Sequence, residues 1–564
     1  MTTSALQVDL LVIGWGKAGK TLAKRYAATR RSVALVERDP AMYGGTCINV
    51  ACVPTKDLVV SAEARRPDDD PSEYFTHAVA DRDELIDRLN AANHGMLEGV
   101  ATLLDGDARF TGPKQVTVTT ADGDIVVTAE KIVVGTGTVP ARPDIDGAAL
   151  PQVYDSTTIQ HAEPFPERLV VVGAGFVGLE FANMFALFGA NVTLLDSRDA
   201  LLPDAEPLVA RAVEDVLSRR GVTVRRDARV RGIEPAGGRL RVRLANDALA
   251  ADAVLLATGR TPATESLNLE VGGIATDDRG FIVVDDHLRT SADGVFAVGD
   301  VNGGPQFTYI SLDDNRVVWE QLTGEGRRST ADRVAVPRTT FVTPPLSQVG
   351  LTPTEARAAG HDVLQASKEV ARIATMPRPK IVGDADGVIS FTVDATTRRI
   401  LGATLFCIDS QELVNLWPSP SAPARPRTSC WTGSGPTRRA PRRSTRCSPS
   451  SRRTPVDLRS GDQAARSPGR SRTLAQTKSC RYLTARLRRR PTPGAGSRRP
   501  RTARPGAVRA DPPGRRSRRP PRARARRRRL PRDRCHWAGR PRPVVRAGRR
   551  RRRRDEGRAA VSSR

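Results

Sequence analysis

The feature that most constrains the fold is a glycine motif that occurs twice, each time between an apolar strand and a helical stretch. The first copy, GWGKAG at 14–19, follows the apolar run at 10–13, and a second apolar run at 33–36 ends in an acid. Glycines let the backbone turn tightly and approach a pyrophosphate, while the helix N-terminus favours the phosphate charge. A carboxylate after the second strand can accept both ribose hydroxyls. We therefore predict a dinucleotide site formed by Gly14, Gly16, Gly19 and Glu37.

The second copy, GAGFVG at 173–178, has the same surroundings. It follows the apolar run at 169–172, and the next run, at 192–195, ends in Asp196. Two such units imply two dinucleotides, the usual arrangement when a flavin is reduced by a nicotinamide. Asp196 favours NADH because it would repel the 2′-phosphate of NADPH, but the nearby Arg198 could accommodate that phosphate, and a solvated acid at a strand end is the plainer alternative. The predicted residues here are Gly173, Gly175, Gly178 and Asp196.

Between the two units lies the string GGTCINVACVPTK at 44–56. Cys47 and Cys52 are five positions apart, and Pro54 and a helical stretch follow, which suits a disulfide across the first turn of a helix. The helix N-terminus and Lys56 would lower a thiol pKa and generate the thiolate that redox chemistry requires. From the spacing alone, two buried structural cysteines remain an equal alternative.

This string resembles the redox-active motif of class I pyridine nucleotide-disulfide oxidoreductases, the group of glutathione reductase, dihydrolipoamide dehydrogenase and mercuric reductase. The resemblance continues through TGTVP at 136–140, LATGRTP at 256–262 and FAVGD ending at Asp300, and covers 1–416. IGWGKAGKTLA near the start and DVNGGPQFTYISLDD at 300–314 are most similar to the mercuric-reductase-like branch. That branch includes the reactive-chlorine-resistance flavoproteins, which reduce copper(II) with NADH.

The resemblance implies a role for each matching residue. Cys47 would be the interchange thiol that meets the substrate, and Cys52 the thiol against the flavin. Lys56 would lie near the flavin N5 and pair with Glu180, and Asp300 would bind the FAD ribityl chain. NADH, or NADPH, would pass hydride to FAD, FAD would reduce the disulfide, and the dithiol would reduce a disulfide, a metal ion (mercury or copper) or an oxidant. Further cofactor-binding residues by resemblance are Gly45, Thr46, Gly137, Gly259 and Gly299.

The implied architecture is an α/β fold with two Rossmann-like FAD- and NAD(P)-binding domains and an α+β interface domain that closes a homodimer. We predict an FAD-binding domain from 1–145 and 263–335, an NAD(P)-binding domain at 146–262, an incomplete interface domain at 336–416 and a tail at 417–564. No stretch approaches the roughly 20 apolar residues that a membrane helix needs, and the N-terminus lacks the features of a targeting signal. We therefore expect a cytoplasmic protein with no membrane partner and no resident metal.

The net charge of +28 is a property of the tail. Residues 417–564 hold 46 arginines, one lysine and six acidic residues, a net charge of +41 that leaves −13 on residues 1–416. The tail contains none of the 13 phenylalanines or five methionines of the chain. Such a segment cannot bury enough apolar surface to offset its ordering entropy, so we predict that it is disordered.

In the family, the interface domain ends in a His-Pro…Glu motif whose histidine is the acid-base partner of the other subunit's thiols. No such motif follows Leu416. New codons can be formed from the last base of each residue's codon and the first two bases of the next codon. Read in this way, residues 431–449 permit the sequence DGIWTHPSSTEALNEVLA, which contains the His-Pro pair and a glutamate. We therefore predict a frameshift near Leu416, equivalent to a net loss of one base, and FAD binding with weak or absent dithiol turnover.

Two alternatives remain at this stage. The arginine-rich tail could be a genuine extension that binds nucleic acid non-specifically through phosphates, with a steep salt dependence. The protein could also be a simple flavin NADH oxidase in which the cysteine pair is dispensable. Replacing Cys52 with serine separates the oxidase from the thiol enzyme.

Overall fold

The computed structural model describes residues 4–416 of the chain. The first part of the chain alternates strands and helices and then forms a run of antiparallel strands. The elements are β1 (Ser4–Ile13), α1 (Lys17–Ala27), β2 (Val33–Glu37), α2 (Thr46–Asn49), α3 (Cys52–Ala64), α4 (Pro71–Gly95), β3 (Thr102–Asp105), β4 (Asp107–Gly112), β5 (Gln115–Thr120), β6 (Gly123–Val134) and β7 (Thr138–Pro140).

The first sheet has the order β3-β2-β1-β6-β5-β4, and β1 pairs in parallel with both β2 and β6. Leu10 and Leu11 of β1 are fully buried and face two different cores, one on each side of the sheet. A central parallel strand is covered on both faces, which is why its sequence is a continuous apolar run. The strand begins at Ser4, before that run, because its more exposed first half pairs with β6 from Ile125 onward.

The middle part of the chain forms a second parallel sheet of the order β11-β10-β9-β15-β8 and a small antiparallel sheet of β12, β13 and β14. The last strand of this part, β16, pairs with β7 in a separate two-stranded antiparallel sheet, so the chain enters and leaves the middle part through adjacent strands. The elements are β8 (Val153–Tyr154), β9 (Arg168–Val172), α5 (Phe176–Phe188), β10 (Asn191–Leu195), α6 (Pro207–Arg219), β11 (Val222–Arg225), β12 (Gly232–Ala236), β13 (Arg239–Arg243), β14 (Ala248–Ala251), β15 (Ala253–Leu256) and β16 (Arg260–Pro262).

The chain then returns to the first sheet, where β17 (Val295–Ala297) pairs in parallel with β6, and α7 (Thr308–Thr323) follows. The last described part is an antiparallel sheet of the order β18-β19-β22-β21-β20. Its elements are β18 (Arg338–Thr340), β19 (Leu346–Gly350), α8 (Pro353–Ala358), β20 (Val363–Glu369), α9 (Pro377–Val382), β21 (Val388–Asp394), β22 (Ile400–Phe406) and α10 (Ser410–Leu413). The predicted α/β class is confirmed; the domain boundaries remain predictions, and the tail lies outside the described residues.

One hydrophobic core joins the helices around the cysteine segment. Leu58 of α3, Phe75 of α4 and Phe185 of α5 are buried in the same cluster, and the rings of Phe75 and Phe185 have centroids 5.5 Å apart. Phe406, at the end of β22, belongs to this cluster too. The packing therefore holds α3, which begins at a cysteine, beside α5 of the second glycine motif.

Candidate active site

The first glycine loop joins β1 to α1 at very close range. Gly14 has a φ of +97°, and a Cβ there would lie 2.6 Å from the carbonyl oxygen of Gly135. A Cβ on Gly19 would lie 2.7 Å from a methyl carbon of Val12, so the helix packs directly on the strand. Gly16 is the N-cap residue of α1 and has no side chain with which to cap the helix; in the first turn, the Ser311 hydroxyl accepts a hydrogen bond of 3.2 Å from the Ala18 N–H. The loop thus presents a helix start to which a diphosphate is suited.

Glu37 ends β2 beside this loop. Its carboxylate accepts hydrogen bonds from the backbone N–H of Trp15 and of Arg38, each at 3.0 Å. Burial raises the pKa of Glu37, and these backbone donors oppose the rise. The two hydrogen bonds therefore hold the carboxylate at the glycine loop, where the position of Glu37 after the second strand predicts a ribose.

The cysteine segment forms two helices, which differs from the predicted single helical turn. Cys47 lies on the short α2, and Cys52 is the first residue of α3; Ala51 between them has φ −127° and ψ −98°, which is not helical. Both cysteines are free thiols, Cys47 half-buried and Cys52 exposed. Gly45, at φ +78°, begins the segment, and a Cβ there would lie 2.7 Å from Cα of Gly16. The thiols are therefore attached directly to the first glycine loop.

The two thiols hold their protons with very different strengths. The hydrogen bond from Cys47, and then the positive charge of Lys56, lowers the pKa of Cys52 to about 6. The same hydrogen bond, together with burial, raises the pKa of Cys47 far above its usual range. The Thr308 hydroxyl, at the start of α7, lies 3.7 Å from Cys52 Sγ and lowers the pKa of both thiols. At neutral pH the pair is a Cys52 thiolate beside a Cys47 thiol.

Lys56 and Glu180 form an ion pair next to the thiolate. Lys56 Nζ lies 2.6 Å from Glu180 Oε2, which is the pairing that the resemblance implies. The other carboxylate oxygen of Glu180 accepts a hydrogen bond of 2.8 Å from the backbone N–H of Phe341, and the Lys56 ammonium lies 4.7 Å from the centroid of that ring. The carboxylate is mostly buried, so the pair fixes where the lysine charge stands relative to Cys52.

Asp300 stands on a tight turn that begins at Gly299. Thr138 Oγ1 donates to Asp300 Oδ2 at 3.2 Å, and Arg260 Nε donates to the same threonine oxygen at 2.7 Å. Burial raises the pKa of Asp300, and the Arg260 charge opposes the rise. The Gly299 N–H donates to Asp314 Oδ2 at 2.6 Å, which anchors the turn from behind.

The loop after β6 completes this edge of the first sheet. Gly137 has a φ of +72°, and the nearest atom to a Cβ there would be Thr46 Oγ1 at 4.0 Å. Within residues 4–416, the buried hydroxyl of Thr136 has no hydrogen-bond partner. A glycine with free space and an unpartnered buried hydroxyl beside the first glycine loop fit a long dinucleotide such as FAD.

The second glycine loop repeats the geometry of the first. Gly173 has a φ of +101°, and a Cβ there would lie 2.6 Å from the carbonyl oxygen of Ala257, while a Cβ on Gly178 would overlap the carbonyl oxygen of Gly173. In contrast, a Cβ on Gly175 or on Gly259 would meet no atom within 4 Å. Gly173 and Gly178 thus allow close packing, whereas Gly175 and Gly259 border open space. This arrangement fits a second dinucleotide.

Asp196 and Arg198 lie together at the end of β10. Asp196 is buried, and Arg198 donates to both of its carboxylate oxygens, with Nη2 at 2.6 Å from Oδ2 and Nε at 3.1 Å from Oδ1. Asp196, which favours NADH, and Arg198, which could accommodate the 2′-phosphate of NADPH, therefore form one ion pair.

Two parallel sheets that each carry a glycine loop suited to a dinucleotide, with a pair of cysteines on helices beside the first loop, define a flavoprotein disulfide reductase. The sequence profile described as "Pyridine nucleotide-disulphide oxidoreductase" matches residues 8–314, and the profile of the same family's dimerisation domain matches residues 336–417. The chain belongs to this family. The predicted family, fold and oxidoreductase activity are thereby confirmed.

Individual relatives are similar over most of their length. The "Probable pyridine nucleotide-disulfide oxidoreductase RclA" of Escherichia coli K12 is 42% identical over 409 residues, which is 72% of this chain and 90% of the relative. A mercuric reductase of Streptomyces lividans is 31% identical over 70% of this chain and 86% of its own. The solved structure of a "Cu(II) complex of HOCl-induced flavoprotein disulfide reductase RclA from Escherichia coli" is 42% identical, with a TM-score of 0.69, and covers 72% of this chain and 91% of that chain.

The family is FAD-dependent and uses NAD(P)H, so the predicted pairing of a flavin with a nicotinamide is confirmed at that level. The chain carries the family's dimerisation domain. No helix within the described residues is long and apolar enough to cross a membrane.

Sequence reasoning missed Thr308 as a neighbour of the thiols. Its only sequence signal is that it lies eight positions beyond Asp300, at the start of a helical stretch, and only tertiary structure shows that α7 begins at the thiols. The His-Pro motif predicted from the shifted reading frame at 431–449, and the tail itself, lie outside the described residues.

Proposed function

We propose that this chain is an NADH-dependent flavoprotein that uses Cys47 and Cys52 to reduce copper(II). Support comes from the 42% identity to RclA, whose solved structure is titled as a Cu(II) complex. Mercuric ion and disulfides are the other acceptors to consider, because mercuric reductases and dihydrolipoyl dehydrogenases are also relatives. We place its action in the cytoplasm.

The two cofactors would be held by the residues that border the two glycine loops. FAD, when bound, supplies the hydride acceptor that links the nicotinamide to the thiols. For FAD the residues are Gly14, Gly16, Gly19, Glu37, Gly45, Thr46, Lys56, Gly137, Gly299 and Asp300. For the nicotinamide dinucleotide they are Gly173, Gly175, Gly178, Asp196 and Gly259.

The pair of cysteines beside the Lys56–Glu180 ion pair is the observation that carries the proposal. After two-electron reduction the S–S bond is open, and Cys52 remains a thiolate while Cys47 keeps its proton. Two copper(II) ions then take one electron each, the S–S bond re-forms, the Cys47 proton leaves to solvent, and two copper(I) ions are released. Lys56 lowers the pKa of Cys52 and so favours its thiolate, and Glu180 holds Lys56 in place.

We propose NADH as the preferred reductant. Asp196 is buried at the end of β10, and both of its oxygens accept from Arg198. The positive charge of Arg198 is thus already neutralised by an acid, which weakens any attraction for the 2′-phosphate of NADPH. NADPH remains a possible second substrate, because Arg198 is itself half exposed.

We further propose that activity is impaired in this chain. The family's histidine would take up and return the proton of the interchange thiol, yet none of the six histidines of this sequence is followed by proline. The same loss would leave the dimer interface built on residues 336–416 incomplete. The nucleotide sequence across codons 410–450 would show whether the tail is encoded in the shifted frame.

The test is anaerobic oxidation of NADH by the purified, FAD-loaded full chain in the presence of copper(II), mercury(II) or an aromatic disulfide, with copper(I) trapped by a chelator. We expect two copper(I) ions for each NADH consumed, as the electron count requires. A frame-corrected chain should turn over about 100-fold faster or more, the usual effect of an acid-base group.

Cys52→Ser is the deciding variant. The proposal predicts that copper(II) and disulfide reduction are lost while slow NADH oxidation by dioxygen survives. Copper(II) reduction by Cys52→Ser at the rate of the parent protein would instead identify a simple flavin NADH oxidase.

A further inference from the structure

Lys20 is a buried lysine that the mechanism above does not use. It lies on α1, one turn after Gly16, and only 4% of its surface is exposed. Arg82 is equally buried but forms an ion pair with Asp83 at 2.6 Å. Within residues 4–416, Lys20 has no such carboxylate partner. Burying an ammonium without a counter-charge costs free energy of folding. The contacts of Lys20 therefore indicate its role.

The ammonium of Lys20 joins three elements. Nζ donates to the carbonyl oxygen of Gly44 at 3.0 Å and to Oδ1 of Asn93 at 2.5 Å. Gly44 precedes Gly45 and α2 on the cysteine segment, and Asn93 lies near the end of α4. The Asn93 amide nitrogen donates to the carbonyl oxygen of Leu89 at 2.7 Å, which leaves Oδ1 directed at the lysine. The contacts fix the start of the cysteine segment against α1.

The charges that face Lys20 are few. Lys17, on the same helix, repels it, and Cys47 is the group of opposite sign when ionised. The side chain supplied by α4, Asn93, is neutral. Burial first, and then Lys17, lowers the pKa of Lys20 to about 8, so it is charged at neutral pH. In return, its charge lowers the pKa of Cys47, against the effects of burial and of Cys52.

We propose that Lys20 is a positioning residue for the interchange thiol: it holds the Gly44 carbonyl and so the segment that carries Cys47, and its positive charge favours the Cys47 thiolate. The proposal rests on the proposed function of Cys47. The step that it assists is a proton equilibrium, in which the Cys47 thiol releases its proton to solvent and no electrons move. Lys20 would therefore supply part of the activation that this chain lacks without the family's histidine.

The test measures Cys47 ionisation without turnover. In FAD-loaded full chain carrying Cys52→Ser, Cys47 is alkylated by iodoacetamide across a pH series, and the rate is taken from the mass of the Cys47 peptide. Lys20→Gln removes the charge but retains an N–H donor for Gly44, whereas Lys20→Met removes both. Lys24→Met, which removes an exposed lysine one turn further along α1, is the matched control.

At pH 7, where Lys20 is charged, we expect Lys20→Gln and Lys20→Met each to slow Cys47 alkylation about tenfold, the effect of a one-unit rise in the pKa of Cys47, and Lys24→Met to leave the rate unchanged. An unchanged rate at pH 7 in Lys20→Gln with normal FAD content would overturn the proposal, as would an equal change in Lys24→Met. The result does not depend on NADH or on any acceptor. A failure of the proposed function, which would appear in copper(II) reduction, is therefore distinguishable from a failure of this inference.

Discussion

The chemistry of the site depends on the unequal proton affinity of two sulfur atoms. Cys52 has its pKa lowered to about 6, first by the hydrogen bond from Cys47 and then by Lys56. A group with a lowered pKa is ionised above that value and protonated below it, so the Cys52 thiolate is present at neutral pH and is lost as the pH falls through about 6. Re-formation of the S–S bond uses the Cys52 thiolate when Cys47 reduces an acceptor, so acceptor reduction should slow in the same pH range.

Thr308 provides a prediction at this scale. Thr308→Val removes the hydroxyl that lies 3.7 Å from Cys52 Sγ, so the thiolate loses a hydrogen-bond donor and the pKa of Cys52 should rise by about half a unit to one unit. The measurement is the pH dependence of the thiolate-to-flavin charge-transfer absorbance in the reduced, FAD-loaded protein. Thr308→Ser keeps the hydroxyl and should retain the parent midpoint. Equal midpoints in the valine and serine variants would show that the hydroxyl has no such role.

Secondary-structure elements meet at two glycine loops, and the glycines of a loop serve two purposes. In the second loop, Gly178 has no room for a Cβ because the carbonyl oxygen of Gly173 occupies that place. Gly175, three positions earlier, has no atom within 4 Å of a Cβ. One position is therefore constrained by the packing of α5 on β9, and the other only by what binds there.

The two glycines predict opposite phenotypes. Gly178→Ala should destabilise the fold by about 1–3 kcal/mol through overpacking, which lowers the melting temperature by about 5 °C without NADH. Gly175→Ala should have the melting temperature of the parent protein. It should bind NADH about tenfold more weakly, because the added methyl group borders the space for the diphosphate. Thermal melting and NADH titration of both variants provide the comparison. If Gly175→Ala binds NADH with the affinity of the parent protein, the dinucleotide does not bind at this loop.

Sequence patterns predicted the strands around the glycine loops but not the break between the two cysteines. Each glycine loop follows an apolar run, and the next apolar run ends in an acid, which is a local pattern; the structure has β1, β2, β9 and β10 where these runs are. The break at Ala51, which separates the two cysteines onto α2 and α3, is not visible in spacing alone. Thr308 and Lys20 could not be assigned either, because their partners are 256 and 24 residues away along the chain. Contacts between distant segments depend on tertiary packing, which local patterns do not contain.

At the scale of the whole chain, the net charge of +28 is the sum of two segments of opposite charge. The part that matches the family, up to residue 417, is acidic, and the excess of arginine lies beyond it. The cofactor classes could be predicted from the two glycine motifs, and the family and fold from the resemblance of the cysteine string at 44–56 and the motifs after it. The acceptor could not, because the similar proteins include both a mercuric reductase and a dihydrolipoyl dehydrogenase.

The most direct test of the central claim is a count of thiols after a single reduction by NADH. FAD-loaded protein with its cysteines oxidised would be mixed with one equivalent of NADH without oxygen, denatured and titrated with a thiol reagent. Since one NADH and one proton convert one disulfide into two thiols, the account predicts two additional thiols in the parent protein and none in Cys52→Ser. Full consumption of NADH with no new thiols in the parent protein would contradict it.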